Sequence, residues 1–150
     1  MSDRDRLLQL LRERSLEVGD FILSSGARST YYVDCRRTTM HAEGQVLVGR
    51  LGLDLLSRSR VEPDAVGGLT MGADPVSYAI AHQSWIAGRP VNAFSVRKQA
   101  KEHGKGKRIE GCFKVGDHVV VIEDAVTSGG SALEACRAVV AEGGVVLAAL

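Results

Sequence analysis

The chain has 150 residues, of which 45% are hydrophobic and 25% are charged, so it is long enough to fold as one globular domain with a buried core. Its formal net charge of +1 excludes a protein whose whole surface attracts polyanions. The three cysteines form no CxxC pair, which excludes a zinc or disulfide framework and favours a reducing, cytoplasmic setting. The sequence contains no apolar run of membrane-spanning length and no export signal, so we expect no membrane association.

The first forty residues predict a small helix followed by a β flap. Leucines recur at helical spacing within residues 5–14, and the helix is expected to end near Val18. Two β-rich runs, residues 21–24 and 30–33, flank a short turn that contains Gly26. We therefore expect an antiparallel hairpin that stands apart from the core.

Residues 41–150 alternate between helical and strand patterns, which is typical of a parallel sheet with right-handed crossovers. Helices are predicted at residues 42–56, 74–86 and 131–142, and strands at residues 65–68, 91–96, 118–122 and 145–150. The sequence thus predicts an α/β fold with an open parallel sheet flanked by helices. Residues 1–150 are expected to form a single domain, with the N-terminal helix and flap in residues 1–40 and the core in residues 41–150.

The last eight residues, GGVVLAAL, have the composition of a central strand that is buried on both faces. No helix and no polar tail follow this strand. We therefore expect the C-terminal part of the domain to be truncated and the core to be incomplete there.

Two adjacent acids, Glu123 and Asp124, follow the strand predicted at residues 118–122. In an open parallel sheet, ligands bind at the carboxyl ends of the strands. The next helix is predicted to begin with a capping box, in which Ser131 caps the first turn and Glu134 reaches back to it. The loop at residues 127–130 supplies two hydroxyls and two glycines at that helix start, which favours binding of a phosphate group.

The acids themselves repel a phosphate, so Glu123 and Asp124 need partners that donate, such as sugar hydroxyls or a hydrated divalent cation. A phosphate on one side and a diol on the other describe a ribose 5-phosphate. A tight turn with two solvated acids is the alternative, and the acid pair alone does not exclude it. The sequence has no GxxxxGK[ST] motif and no GxGxxG after a strand, which removes the main signals of nucleotide triphosphatases and dinucleotide-binding enzymes.

Residues 97–108, RKQAKEHGKGKR, carry six basic residues against one acid and predict a solvated loop outside the core. Such a loop can neutralise the charge that develops on a departing pyrophosphate. A charged surface loop or a weak nucleic-acid patch is the alternative, although the segment lacks the aromatic residues that stack on bases.

Four segments together resemble the orotate phosphoribosyltransferases, a family of type I phosphoribosyltransferases. VVVIEDAVTSGGS, residues 119–131, resembles the motif with which that class binds 5-phosphoribosyl 1-diphosphate (PRPP). The other segments, in the order expected for the family, are FILSSGARSTYYVDCRR, GGLTMGADPVSYA and RKQAKEHGKGKR. The likeness covers essentially the whole chain. It implies the type I fold and the transfer of the phosphoribosyl group of PRPP to orotate, which gives orotidine 5'-monophosphate and pyrophosphate for pyrimidine synthesis.

The resemblance also assigns roles to individual residues. Lys101, His103 and Asp124 would be catalytic, and Glu123 with Asp124 would hold the ribose hydroxyls. The full PRPP-binding set would be Arg97, Lys98, Lys101, His103, Glu123, Asp124, Ala125, Val126, Thr127, Ser128, Gly129, Gly130 and Ser131.

A second loop, after the strand predicted at residues 65–68, would lie under the pyrophosphate. It consists of Thr70, Met71, Gly72 and Ala73, and the following Asp74-Pro75 pair is predicted to supply the N-cap and first position of a helix. Orotate is expected near Ser24, Tyr31, Tyr32 and Thr127. Many relatives have lysines at the positions of Ser24 and Met71, so in this chain either the cations come from elsewhere, with Lys98 as a candidate, or the affinity for the substrate is reduced.

The family resemblance further implies Mg²⁺ as cofactor, bound mainly through PRPP and water with no direct protein ligand. It implies a homodimer in which residues 97–108 reach the neighbouring active site, and no nucleic acid is expected as a partner. Two alternatives remain open at this stage. In the first, the chain is a phosphoribosyltransferase for another nucleobase. In the second, it is a regulatory protein of the same fold that senses PRPP.

Overall fold

The computed structural model describes residues 1–23, 26–99 and 107–150. Helix α1 (Asp3–Leu10) continues into a π-helical turn (Leu11–Ser15), and strands β1 (Leu16–Ile22) and β2 (Arg28–Val33) form an antiparallel hairpin. A short helix, α2 (Arg36–Thr39), leads from the hairpin to the core.

The N-terminal helix is shorter than predicted, because β1 begins at Leu16. The backbone of Leu16 pairs with Val33 and that of Val18 with Tyr31, so strand pairing takes over where the sequence predicted the last helical turn. Helix α1 starts at a reciprocal cap, in which the Ser2 hydroxyl accepts the Asp5 N–H at 3.2 Å and donates to the Asp5 carboxylate at 2.7 Å.

The core contains three helices, α3 (Ala42–Arg58), α4 (Ala73–Ile86) and α5 (Gly130–Ala141). Its five-stranded sheet has the order β5-β4-β3-β6-β7. The strands are β3 (Ala65–Leu69), β4 (Asn92–Val96), β5 (Ile109–Gly111), β6 (His118–Val121) and β7 (Val145–Ala149).

The sheet is mostly parallel, which confirms the predicted α/β class. Strand β3 pairs in parallel with β4 and β6, and β6 pairs in parallel with β7. Strand β5 was not predicted. It pairs antiparallel with β4, and its three residues are too few to show a strand pattern in the sequence.

The apolar side chains of the sheet are divided between two layers, because successive residues of a strand point to opposite faces. Val119 and Val121 face α5, whereas Val120 packs with Ile80 of α4. The parallel strands are therefore buried on both sides, as their continuous apolar runs predict.

Strand β7 was predicted to be a central strand that is buried on both faces, and this prediction is wrong. It lies at the edge of the sheet, and alternate side chains are exposed, with Val145 at 45% and Leu147 at 42%.

Within the described ranges, no helix has both the length and the apolar character that crossing a membrane requires.

Candidate active site

Two loops of different crossovers meet at one edge of the sheet, because β3 and β6 are parallel neighbours whose carboxyl ends lie side by side. They border an open cleft of about 280 Å³. The residues that line the cleft are Tyr32, Val33, Asp34, Cys35, Arg36, Leu69, Thr70, Met71, Gly72, Ala73, Lys98, Ile122, Glu123, Asp124, Ala125 and Ser131.

Glu123 caps helix α5. Its Oε2 accepts the backbone N–H of Ala132 at 2.9 Å, so one of the two carboxylate oxygens is already engaged at the helix N-terminus. This contact replaces the predicted capping box. Helix α5 begins at Gly130, after Gly129 in a left-handed conformation with φ 75°, and the carboxylate of Glu134 instead accepts a hydrogen bond from Arg108 at 2.6 Å.

Asp124 faces the loop that follows β3. A Cβ atom at Gly72 would overlap the Asp124 carboxylate, so the close approach of the two loops requires glycine at this position. The backbone of Gly72 has φ −61°, an ordinary helical value, and the requirement is therefore one of space rather than of backbone conformation.

The loop after β3 ends in helix α4, which begins one residue earlier than predicted. Gly72 occupies the N-cap position and Ala73 is the first helical residue, so the prediction that Asp74 is the cap is wrong. Asp74 is buried, and its carboxylate accepts hydrogen bonds from the hydroxyls of Thr70 at 2.6 Å and Ser95 at 2.7 Å. The Asp74 side chain thus binds two hydroxyls outside the helix instead of the backbone N–H groups of the helix start. The Asp-Pro pair, which is typical of a helix start, was therefore misleading.

The opposite wall of the cleft is formed by the end of β2 and the residues after it. Arg36 binds Asp34 with two hydrogen bonds, of 2.8 and 3.2 Å, and this pairing lowers the pKa of the Asp34 carboxyl. Cys35 lies between them. Burial raises the pKa of the Cys35 thiol, and the negative charges of Asp124 and Asp34 raise that pKa further.

Only the two ends of the basic segment belong to the described structure. Lys98 lines the cleft, whereas Arg97 pairs with Glu110 at 3.1 Å. Arg108 joins the two ends, because its side chain donates to the backbone carbonyls of Arg97 at 3.0 Å and Lys98 at 3.2 Å. Its own carbonyl accepts the Arg97 N–H at 2.8 Å. The predicted catalytic residues Lys101 and His103 lie outside the described residues.

The cleft brings together many, but not all, of the residues that the sequence predicted. Tyr32 lines it, whereas Tyr31 does not and is 57% exposed, and Ser24 lies outside the described residues. The loop of Val126, Thr127, Ser128, Gly129 and Gly130 adjoins the cleft at the start of α5 without lining it.

The sequence reasoning missed the wall formed by Val33 to Arg36 as part of the cleft. Asp34 and Arg36 form an ion pair with each other. The available signal was their place in the segment STYYVDCRR, directly after the predicted flap.

The charges of the cleft suit a ligand with both an anionic and a hydroxyl-bearing part. The backbone N–H groups at the start of α5 and α4 attract anions, while Asp124 and the second oxygen of Glu123 accept hydrogen bonds. Arg36 and Lys98 supply positive charge on the cleft wall. In residues 1–23, 26–99 and 107–150, no group of three or more His, Cys, Asp or Glu side chains is placed to hold a metal ion.

No protein-family model matches the chain. The orotate phosphoribosyltransferase of Aquifex aeolicus is 46% identical over 141 residues, which cover 92% of this chain and 76% of the relative. That of Streptomyces coelicolor is 48% identical over 145 residues, which cover 97% of this chain and 79% of the relative. The crystal structure of Mycobacterium tuberculosis orotate phosphoribosyltransferase in complex with PRPP matches with a TM-score of 0.81 and 43% identity, covering 99% of this chain and 80% of that one.

Proposed function

Because the chain belongs to the orotate phosphoribosyltransferase family, we propose that its cleft transfers the phosphoribosyl group of PRPP to orotate. The products are orotidine 5'-monophosphate and pyrophosphate, and the reaction serves pyrimidine synthesis. The observation that carries the proposal is the position of the Glu123-Asp124 pair. It lies beside the N-terminus of α5 and against the loop of residues 70–73, so a diol, a phosphate and a diphosphate can be bound at neighbouring points.

The ribose 5-phosphate part of PRPP is proposed to bind along the loop of residues 125–131. The free backbone N–H groups at the start of α5 and the hydroxyls of Thr127, Ser128 and Ser131 suit the phosphate. Asp124 and the second carboxylate oxygen of Glu123 suit the ribose 2- and 3-hydroxyls, because an ionised carboxylate only accepts hydrogen bonds.

The diphosphate is proposed to bind against the loop of residues 70–73, where the start of α4 presents backbone N–H groups. Two cations of the described chain, Arg36 and Lys98, line the same cleft. They can take the place of the lysines that many relatives have at the positions of Ser24 and Met71. Lys101 and His103 remain proposed catalytic residues on the strength of the family resemblance.

The chemical step is a substitution at the anomeric carbon of the ribose. The bond from C1 to the diphosphate oxygen breaks and the bonding electrons leave with pyrophosphate. The orotate N1 forms the new bond to C1, and its proton passes to the departing pyrophosphate or to water. By analogy with glycoside chemistry the transition state resembles an oxocarbenium ion. The site therefore acts by holding the two partners in line and by stabilising negative charge on the leaving group, and no enzyme nucleophile is required.

We propose Mg²⁺ as the cofactor. Glu123 and Asp124 are too few carboxylates for an all-protein Mg²⁺ site. The cleft therefore fits an ion that is bound mainly through PRPP and water, close to the two acids. When bound, the ion neutralises charge on the diphosphate.

The three cysteines are free, which agrees with the reducing environment of the cytoplasm, where we propose the protein acts.

The activity is tested by incubating the protein with Mg²⁺, PRPP and orotate and following the loss of orotate absorbance. We expect turnover with orotate and none with uracil, hypoxanthine or adenine. Asp124→Asn is expected to lower kcat/KM for PRPP by about a hundredfold, because it removes a charged hydrogen-bond acceptor at the reacting sugar. Turnover with a different base would overturn the choice of substrate, and PRPP binding without turnover of any base would indicate a PRPP sensor.

We also propose a homodimer in which the segment of residues 97–108 reaches the neighbouring active site with Lys101 and His103, while Lys98 at its base lines the cleft of its own subunit. The test is complementation between Lys101→Ala and Asp124→Asn subunits, which are each expected to have strongly reduced activity as homodimers. If the segment acts across the interface, a mixed dimer contains one site with both residues intact, and mixing restores activity. If mixing does not raise the activity while native mass spectrometry shows mixed dimers, the segment acts within its own subunit.

A further inference from the structure

The buried carboxylate of Asp74 lies directly behind the loop of residues 70–73 and is not part of the cleft lining. Its Oδ2 accepts the Thr70 hydroxyl at 2.6 Å and its Oδ1 accepts the Ser95 hydroxyl at 2.7 Å. Thr70 belongs to the loop, Asp74 to the first turn of α4 and Ser95 to β4. One side chain thus connects three elements that meet at the sheet edge.

The direction of these hydrogen bonds can be worked out from the number of protons. A hydroxyl has one proton, and both Thr70 and Ser95 give theirs to the carboxylate. The Ser95 oxygen also lies 2.9 Å from the Tyr78 hydroxyl, so Tyr78 must be the donor in that contact. Thr70 consequently has no proton left for an anion in the cleft. Its side chain cannot donate to a diphosphate, and donors at this loop must be backbone N–H groups.

The Asp74 carboxylate lies in the first turn of α4. Two hydroxyl donors bind it, and the first turn of a helix favours a negative charge. A buried carboxylate with short hydrogen bonds to both sides holds its partners more rigidly than neutral contacts would, since leaving it without partners would carry a large desolvation cost.

Ser95 stands next to Val96, the last residue of β4, after which the chain continues to Arg97 and Lys98. The backbone supports the same connection, because the Thr70 N–H donates to the Val96 carbonyl at 2.9 Å. The loop under the proposed diphosphate and the segment that brings Lys98 to the cleft are therefore linked both through the main chain and through Asp74.

We propose that Asp74 is a positioning residue that fixes the loop of residues 70–73 relative to the end of β4, so that the backbone donors of the loop and the Lys98 cation meet the diphosphate together. The inference rests on the proposed function, since it specifies how that site recognises diphosphate. Asp74 does not touch the substrate and acts through Thr70 and Ser95.

The test measures two ligands that report on different halves of the site. Calorimetry with magnesium pyrophosphate reports on the loop of residues 70–73, and calorimetry with ribose 5-phosphate reports on residues 123–131. For Asp74→Ala we expect pyrophosphate binding to weaken about tenfold, on the scale of a lost charged hydrogen bond, and ribose 5-phosphate binding to stay within about twofold of wild type. In the steady state, KM for PRPP should rise while KM for orotate stays unchanged.

Asp74→Asn keeps the shape of the side chain and one acceptor oxygen, so it is expected to recover part of the lost pyrophosphate affinity. The matched control is Ser84→Ala at the other end of α4, which removes a buried hydroxyl that accepts the Val91 N–H at 2.8 Å. This control is expected to lower the melting temperature and to leave both ligand affinities unchanged. If Asp74→Ala does not fold, Thr70→Val and Ser95→Ala break the two hydrogen bonds separately, and each should weaken pyrophosphate binding several-fold.

Equal weakening of both ligands in Asp74→Ala would show a general structural role and overturn the inference, as would unchanged pyrophosphate binding. In both cases the proposed function would stand, because the wild-type protein still binds both ligands. A wild-type protein that binds neither ligand would instead overturn the proposed function, and the positioning role with it.

Discussion

Single residues decide which charges the cleft presents. Glu123 shows this most directly, because one of its carboxylate oxygens binds the N–H of Ala132 at the helix end where a phosphate is proposed to bind. The carboxylate is thus both a cap for the helix and a like charge close to an incoming anion. These two effects can be separated by a change that keeps the hydrogen bond and removes the charge.

Glu123→Gln is such a change. We expect it to tighten binding of inorganic phosphate roughly twofold to fivefold, the scale of a charge effect at a helix terminus. The same variant is expected to weaken PRPP binding about tenfold, because an amide binds the ribose hydroxyls less strongly than a carboxylate. Both affinities can be measured by calorimetry, with the exposed Glu62→Gln as control. A shift of both ligands in the same direction would contradict the assignment.

Gly72 decides how closely the two loops approach. In Gly72→Ala the new methyl group would overlap the Asp124 carboxylate and push it from its place. We expect KM for PRPP to rise about tenfold with little loss of stability, because the helical backbone at this position accepts alanine. Steady-state kinetics and thermal melting measure the two effects. Gly19→Ala is the control, since the new Cβ atom would lie 3.4 Å from its nearest neighbour, an ordinary contact. Wild-type kinetics in Gly72→Ala would show that the Asp124 carboxylate need not stay in place.

Cys35 gives a pH-dependent signal from within the cleft. A raised pKa means that at any given pH a smaller fraction of the thiol is ionised, and the thiolate is the reactive form. We expect iodoacetamide to modify the exposed Cys112 first and Cys35 only slowly near neutral pH, with the Cys35 rate rising as the pH is increased. Mass spectrometry of the modified peptides measures both rates in one sample. Faster modification of Cys35 than of Cys112 at neutral pH would contradict this prediction.

At the scale of elements, the parallel sheet could be predicted because apolar runs of strand length alternate with helical patterns. The acid pair and the loop after β6 could be placed at the sheet edge for the same reason. The start of α5 could not, because the cap comes from Glu123, which is earlier in the chain than the helix and is not part of any local capping pattern. Asp74 was misassigned for a similar reason, since its partner Ser95 is 21 residues away.

Arg108 is the contact that joins β4 and β5 at the base of the basic segment. Arg108→Ala removes its hydrogen bonds to the Arg97 and Lys98 carbonyls and to Glu134. We expect a loss of about 1 kcal/mol in the free energy of unfolding, since the side chain is partly exposed, and a larger proportional loss of turnover. Urea unfolding and steady-state kinetics provide the two values. The control is Arg58→Ala, which breaks an exposed ion pair with Asp54 and should change neither the free energy of unfolding nor the turnover. Normal turnover in Arg108→Ala would show that the two ends of the basic segment need not be held together.

At the scale of the whole molecule, helix α4 leaves an apolar face uncovered. Trp85 is 74% exposed, Ile86 65% and Tyr78 51%, so these side chains do not belong to the core. An exposed apolar face of this kind is typical of an interface between subunits, which agrees with the homodimer proposed above.

Trp85 is the only tryptophan and therefore reports on this face. We expect its fluorescence emission to shift to shorter wavelength as the protein concentration rises and dimers form, because the indole ring leaves water. Sedimentation velocity on the same samples gives the fraction of dimer, and dilution should reverse both signals together. A constant emission wavelength while sedimentation shows dimers would place the interface elsewhere.

The pairing of Arg97 with Arg108 also limits how far the basic segment can act. The chain leaves the sheet and returns to it at the same point, with about ten residues between. A segment fixed at both ends reaches less far than a free tail of the same length. In a dimer that shares its sites, the mouth of each cleft must therefore lie close to this anchor of the partner subunit.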